Sequence, residues 1–146
     1  MKESRKLWAV ILFVLWVVFI FTRSLQPADL SNEESGKVLS LLEQLLPFEL
    51  SNHIVRKLAH FTEYAILGFL GWFVYVPQPQ KRRTGFFALL TCVAVSICDE
   101  TIQVFVDGRA GRVSDVCLDT VGALTGVLAG AAALILYHRI RRKRIK

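Results

Sequence analysis

Residues 7–22, LWAVILFVLWVVFIFT, form an uncharged and mostly apolar run bounded by Lys6 and Arg23. Flanking basic residues of this kind extend their stems to the interfaces of a bilayer, so the run reads as a first, short transmembrane helix. Phe21-Thr22-Arg23 and the residues after it lack a small-x-small cleavage pattern, which favours an uncleaved anchor over a secretory signal. Three further apolar stretches, residues 58–76, 85–106 and 113–137, each approach the roughly 20 residues needed to cross about 30 Å of hydrocarbon. The chain as a whole supports this reading: of 146 residues, 53% are hydrophobic and 21% charged, with a mean hydropathy of +0.45. That is more apolar surface than one small water-soluble core covers. The expected fold is all-α, a four-transmembrane-helix bundle forming one domain over residues 1–146. Internal repeats and low-complexity tracts are absent.

Between the first two spans lies the one long connection, residues 24–54. Ser31 with Glu34 has the form of a capping box, and Val38, Leu41, Leu42 and Leu45 recur at helical spacing up to Pro47. This predicts an extracytoplasmic amphipathic helix lying at the interface, with Glu33, Glu34 and Glu43 against Lys37 on its polar face. Pro77 and Pro79 are expected to end the second span, and Gly108 and Gly111 to turn the chain between the third and fourth. With four spans, one side collects 12 basic residues against Glu3 alone, and the other 6 basic residues against 11 acids. The positive-inside rule then places both termini in the cytoplasm of a multi-pass cell-membrane protein. The pI near 9.6 is accordingly a topology signal, and the tail RIRRKRIK is a lipid-headgroup anchor rather than a nucleic-acid-binding segment. Cys92, Cys98 and Cys117 lie inside apolar runs without zinc-site spacing and are expected to act as small core hydrophobes.

The ionisable residues inside the spans are grouped. Lys57, His60 and Glu63 open the second span, Asp99, Glu100 and Gln103 lie near the end of the third, and Arg112, Asp115 and Asp119 open the fourth. All fall toward the same, extracytoplasmic side. Charge at membrane depth is expensive, so three helices supplying it at one level predict a shared, water-accessible pocket. At 100° per residue, Lys57, His60, Glu63 and Tyr64 fall within roughly 120°, Asp99, Glu100 and Gln103 within about 100°, and Arg112, Asp115 and Asp119 within about 60°. Each helix thus has one polar face. Asp99 and Glu100 are adjacent, so only one is expected to face the pocket centre. Arg109, in the 107–112 turn, is placed to cover the mouth.

These residues carry a resemblance. KLAHFTEYAILGFL (57–70), DETIQVFVDGRAGRVSDVCLDTVGALTG (99–126) and SLQP (24–27) resemble the VanZ-like family of small bacterial membrane proteins, named for an accessory protein of teicoplanin resistance. The family pattern falls on Lys57, His60, Phe61, Tyr64, Asp99, Glu100, Gln103, Arg109, Asp115, Asp119 and Gly122, and the match covers nearly the whole chain. Where many members have Asp before the lysine this chain has Arg56. The resemblance implies an envelope role, with phenotypes in resistance to agents acting at the cell surface, and supplies no reaction.

Residue chemistry refines that expectation. His60 with Glu63 one turn away is a candidate proton-transfer pair, with Glu100 or Asp115 able to assist; the alternative is a buried structural hydrogen bond. Arg109 and Arg112 suit recognition of a phosphate or carboxylate on an anionic lipid or cell-wall precursor headgroup, with Lys57, Tyr64, Asp99, Gln103 and Asp119 completing the binding surface. The alternative has Arg112 neutralising Asp115 or Asp99. Arg109-x5-Asp115-x3-Asp119 matches the spacing of the Arg-x5-His-x3-Asp motif of membrane lipid phosphatases, with Asp115 where the nucleophilic histidine would stand, so that chemistry does not carry over. No dedicated metal motif is present and no cofactor is expected; a divalent cation held by His60, Glu100 and Asp115 is the minor reading. Gly122, Gly126 and Gly130 permit close helix approach, within the bundle or across a homodimer seam.

Overall fold

Five helices succeed one another in the computed structural model, which describes residues 3–45, 51–76 and 81–143: α1 (Glu3–Ser24), α2 (Ala28–Leu45), α3 (Asn52–Tyr75), α4 (Lys81–Val104) and α5 (Val113–Lys143). Among the described residues there is no β-strand. Segments of α1 (Lys6–Ser24), α4 (Arg83–Val104) and α5 (Val113–Lys143) are long and apolar enough to cross a membrane. The 24-residue α3 has the length, but its polar N-terminal third leaves it outside that set, so three of the four expected spans meet the composition. Pro47, Pro77, Pro79 and the last three residues of the basic tail lie outside the described residues, as do the side chains of Leu42 and Leu45.

Helix boundaries differ from expectation for local reasons. α3 starts six residues early because Ser51, extended at φ −98°, caps it by accepting from the Ile54 N–H. Lys57 and His60 therefore lie in the second and third turns. α2 starts at Ala28, directly after Pro27, whose fixed φ and missing N–H suit a helix start. Ser31 is consequently buried inside the helix, its N–H bonded to the Pro27 carbonyl, and Glu34 is drawn instead to an ion pair with Arg23. The expected capping box does not form. Val38 and Leu41 of α2 are exposed, and among the described helices α2 packs mainly on α3.

α3 and α5 share the most extensive interface. A Cβ at Gly122 would press on the Phe61 carbonyl, at Gly126 on that of Ala65 and at Gly130 on the Trp72 side chain, while Gly68 of α3 meets the Ala123 backbone in return. This glycine row packs within the bundle, one of the two uses expected for it. By contrast Gly36, mid-α2, has open space around it and an ordinary helical φ. Gly36→Ala is expected to raise stability by about 0.5–1 kcal/mol, read as a higher thermal midpoint in detergent.

Ile20, Tyr64, Leu67, Cys92 and Ala123 form the buried apolar core, with Phe13, Trp16 and Leu89 packed around it. Only Cys92 of the cysteines is buried; Cys98 and Cys117 are exposed, because they fall on the outer faces of α4 and α5. Leu15, Val18, Leu90, Ile97, Leu128 and Ile135 are likewise exposed, while Ser96, Asp99, Glu100, Gln103 and Asp119 are buried. An apolar exterior around a polar interior is the pattern of helices that meet lipid.

Candidate functional site

The C-terminal ends of α1 and α4 and the N-terminal ends of α3 and α5 meet at one end of the bundle, and every described buried polar residue except Thr84 gathers there. Hydroxyls of this chain mostly fold back on their own helix, as Thr22, Thr62, Thr101 and Thr125 do by donating to carbonyls four residues earlier. Ser24 and Ser96 depart from that habit. Ser24 Oγ donates across helices to Asp99 Oδ1, and Ser96 Oγ to Asp119 Oδ2 at 2.7 Å. Gln103 Nε2 donates to Asp99 Oδ2 (3.3 Å) and Glu100 Oε1 (3.4 Å), and the Arg112 backbone N–H to Glu100 Oε2 (2.8 Å). Each of the three carboxylates is thereby held in a fixed orientation.

His60 completes the group. Its Nδ1 stands 3.5 Å from Asp119 Oδ1, yet neither atom has a hydrogen-bond partner, and the buried Tyr64 hydroxyl also has none. One ligating atom from each of His60, Asp99, Glu100 and Asp119 lies within 4.8 Å of the others. Among the described residues this is the group able to hold a metal; the set differs from the expected His60, Glu100 and Asp115. The expectation that only one of Asp99 and Glu100 faces inward is also corrected, since Gln103 gathers both from the same helix face.

Above this cluster the surface turns basic. His53, Arg56, Lys57, Arg109 and Arg112 line a cleft of about 120 Å³ whose floor includes His60, and a cavity of about 30 Å³ beside it is lined by Arg23, Arg56, His60, Glu63 and Arg109. Gly108, at φ +72°, turns the loop that carries Arg109. Arg109 Nη2 donates to the Arg23 carbonyl (3.2 Å), while its buried Nε has no partner. Burial, then the neighbouring charges of Arg56 and Arg23, push its pKa down from the arginine range, although a guanidinium stays charged. Crowded cations with a spare donor favour an anion. Next to them a groove of about 440 Å³, lined by Trp16, Phe19, Val38, Leu58 and Ile66 with Glu63 on its wall, opens between α1, α2 and α3.

The polar faces read from helical phase do converge, with adjustments in pairing. His60 faces Asp119 rather than Glu63, whose own carbonyl accepts from Trp16 Nε1 at 2.9 Å. Asp115 sits outside the buried cluster, 3.7 Å from Lys57 Nζ. The guanidinium of Arg112 is exposed and pairs with neither Asp115 nor Asp99; its backbone serves instead. Ser24, Ser96, His53 and Arg23 were not expected in the site. Ser96 precedes Asp99 by three residues on the same helix face, which is the one signal that pointed to it.

No curated protein and no solved structure gives a significant match to this chain. The VanZ/LLP1 family model matches residues 9–136, a stretch that includes every residue of the cluster. With its apolar exterior and a match of that extent, this membrane protein belongs to the VanZ/LLP1 family.

Proposed function

We propose that the protein is a multi-pass membrane protein whose polar pocket takes the anionic headgroup of an envelope lipid or lipid-linked cell-wall precursor. α1, α3, α4 and α5 serve as the four spans, both termini are cytoplasmic, and α2 lies at the opposite interface with Val38 and Leu41 toward lipid. The observation that carries the reading is the unpartnered Nε of Arg109 in a cleft shared with Arg56 and Lys57. A phosphate or carboxylate there accepts from a charged donor that otherwise stays buried without a partner. The adjacent apolar groove suits an acyl or prenyl chain, so headgroup and tail have neighbouring sites. In this reading His60, on the cleft floor, is the group placed for proton transfer if the headgroup is processed, with Glu63, Glu100 and Asp115 near it and Tyr64, Asp99, Gln103, Arg112 and Asp119 shaping the pocket. A ligand of this class accords with the family's link to teicoplanin resistance.

Native mass spectrometry of the gently extracted protein tests it. An anionic lipid or precursor is expected to remain on the wild type and on His60→Ala. A mass change in that ligand on incubation, seen only when His60 is present, makes the protein an enzyme; an unchanged ligand makes it a binding protein. Absence of any retained anionic amphiphile from the wild type overturns the reading.

A further inference from the structure

We infer that His60, Asp99, Glu100 and Asp119 form a binding site for one divalent transition-metal cation, placed beneath the basic cleft. Three helices supply the four residues: His60 from α3, Asp99 and Glu100 from α4, and Asp119 from α5. Their candidate ligating atoms lie within 4.8 Å of one another, and Asp99, Glu100 and Asp119 are 1%, 5% and 0% exposed. Carboxylates this deep need compensating charge. Among the described residues no lysine or arginine side chain pairs with any of the three: Lys57 goes to Asp115, Arg23 to Glu34, Arg109 to a backbone carbonyl, and Arg112 offers only its backbone N–H.

Acidity alone would not distinguish a metal site from a hydrogen-bond network. The distinguishing feature is Asp119. It is fully buried, Ser96 fixes its Oδ2, and its Oδ1 faces the cluster without a hydrogen-bond partner, as does His60 Nδ1 opposite. The 3.5 Å between those two atoms is close to the separation of about 3.4 Å that two tetrahedral ligands show around an ion bound at about 2.1 Å. All four candidate ligating atoms lie within 4.8 Å of one another, close to the roughly 4.2–4.4 Å that spans opposite ligands in an octahedral site. Tyr64, on the same helix as His60, also buries a hydroxyl that lacks a partner. Ser24, Ser96, Gln103 and the Arg112 N–H orient the carboxylates from outside, which is the office of outer-shell partners in metal sites. One imidazole with three carboxylates selects ions such as Mn²⁺ or Zn²⁺ over Ca²⁺.

This site is independent of the headgroup reading, because metal binding is measurable on protein stripped of lipid. The full chain in detergent, treated with a chelator and desalted, is titrated with MnCl₂ and followed by loss of the free-Mn²⁺ paramagnetic resonance signal, with Zn²⁺ as competitor. One Mn²⁺ per chain, displaced by Zn²⁺, is expected for wild type and for Glu33→Gln, which removes an exposed carboxylate far from the cluster. Asp119→Asn is expected to abolish stoichiometric binding. Ser96→Ala keeps all four ligands but releases Asp119 Oδ2, and is expected to weaken binding about 10–100-fold, which keeps the test decisive if Asp119→Asn does not fold. Wild type that takes up neither ion stoichiometrically, or a Ser96→Ala variant that titrates like wild type, overturns the inference.

Discussion

Gly126→Leu is expected to leave almost no folded protein in the membrane. A Cβ at this position would land on the Ala65 carbonyl and within 2.7 Å of the Phe69 nitrogen, so the obstruction is backbone and cannot be relieved by turning a side chain. Overpacked cores lose about 1–3 kcal/mol when side chains can move aside; here α3 and α5 must separate, and the cost exceeds that range. Separation also moves His60, carried by α3, away from Asp119, carried by α5. The measurement is membrane protein level, together with the thermal midpoint of whatever can be extracted. Gly36→Ala, in the same protein but with no neighbour to strike, serves as the opposite control. Wild-type levels and an unchanged midpoint for Gly126→Leu would mean that α3 and α5 do not pack on this glycine face.

Arg109→Ala is expected to weaken retention of an anionic headgroup by about 10–150-fold, the equivalent of losing charge-assisted hydrogen bonds worth about 1.5–3 kcal/mol. The reason is the buried Nε without a partner, beside Arg56 in a cleft of only about 120 Å³. Arg109→Lys separates charge from geometry: an ammonium restores attraction but not the planar fork, so affinity is expected to recover in part. Titration with a short-chain phosphatidic acid, which is soluble enough for calorimetry, gives the numbers for all three proteins. If the alanine variant binds as wild type does, the mouth is not where the anion sits.

Much of this molecule can be read before folding, and the limits of that reading are physical. The apolar runs that become α1, α4 and α5 announce themselves, because burial in lipid demands uninterrupted hydrophobicity. α3 is harder: its first turns carry His53, Arg56 and Lys57 for the cleft, and that composition hides a helix start signalled only by Ser51. Within the site, helical phase puts Lys57, His60, Glu63 and Tyr64 on one face of α3, but it cannot choose partners across helices. Glu63 is the nearer carboxylate to His60 along the chain, whereas the meeting of α3 and α5 at the glycine row brings Asp119 to its ring. The roles of Ser24 and Ser96 are hard to read for a related reason. A helical hydroxyl normally satisfies itself on its own backbone, and only the assembled bundle offers these two a carboxylate.

The rim of the pocket is fastened largely through main-chain atoms: the Ala28 N–H donates to the Asp107 carbonyl at 3.3 Å, and Arg109 ends on the carbonyl of Arg23. Carbonyls are common to all residue types, so positions 23 and 107 are free to drift in sequence without unfastening these two bonds. Gly108 and Arg109 have no such freedom. One supplies a φ of +72° that side chains resist, with Ala28 close against it, and the other supplies the guanidinium that reaches the Arg23 carbonyl. Side-chain identity at this rim is therefore demanded where it is least visible from the bonds alone: the two fastenings tolerate exchange at positions 23 and 107, and they depend on the turn Gly108-Arg109.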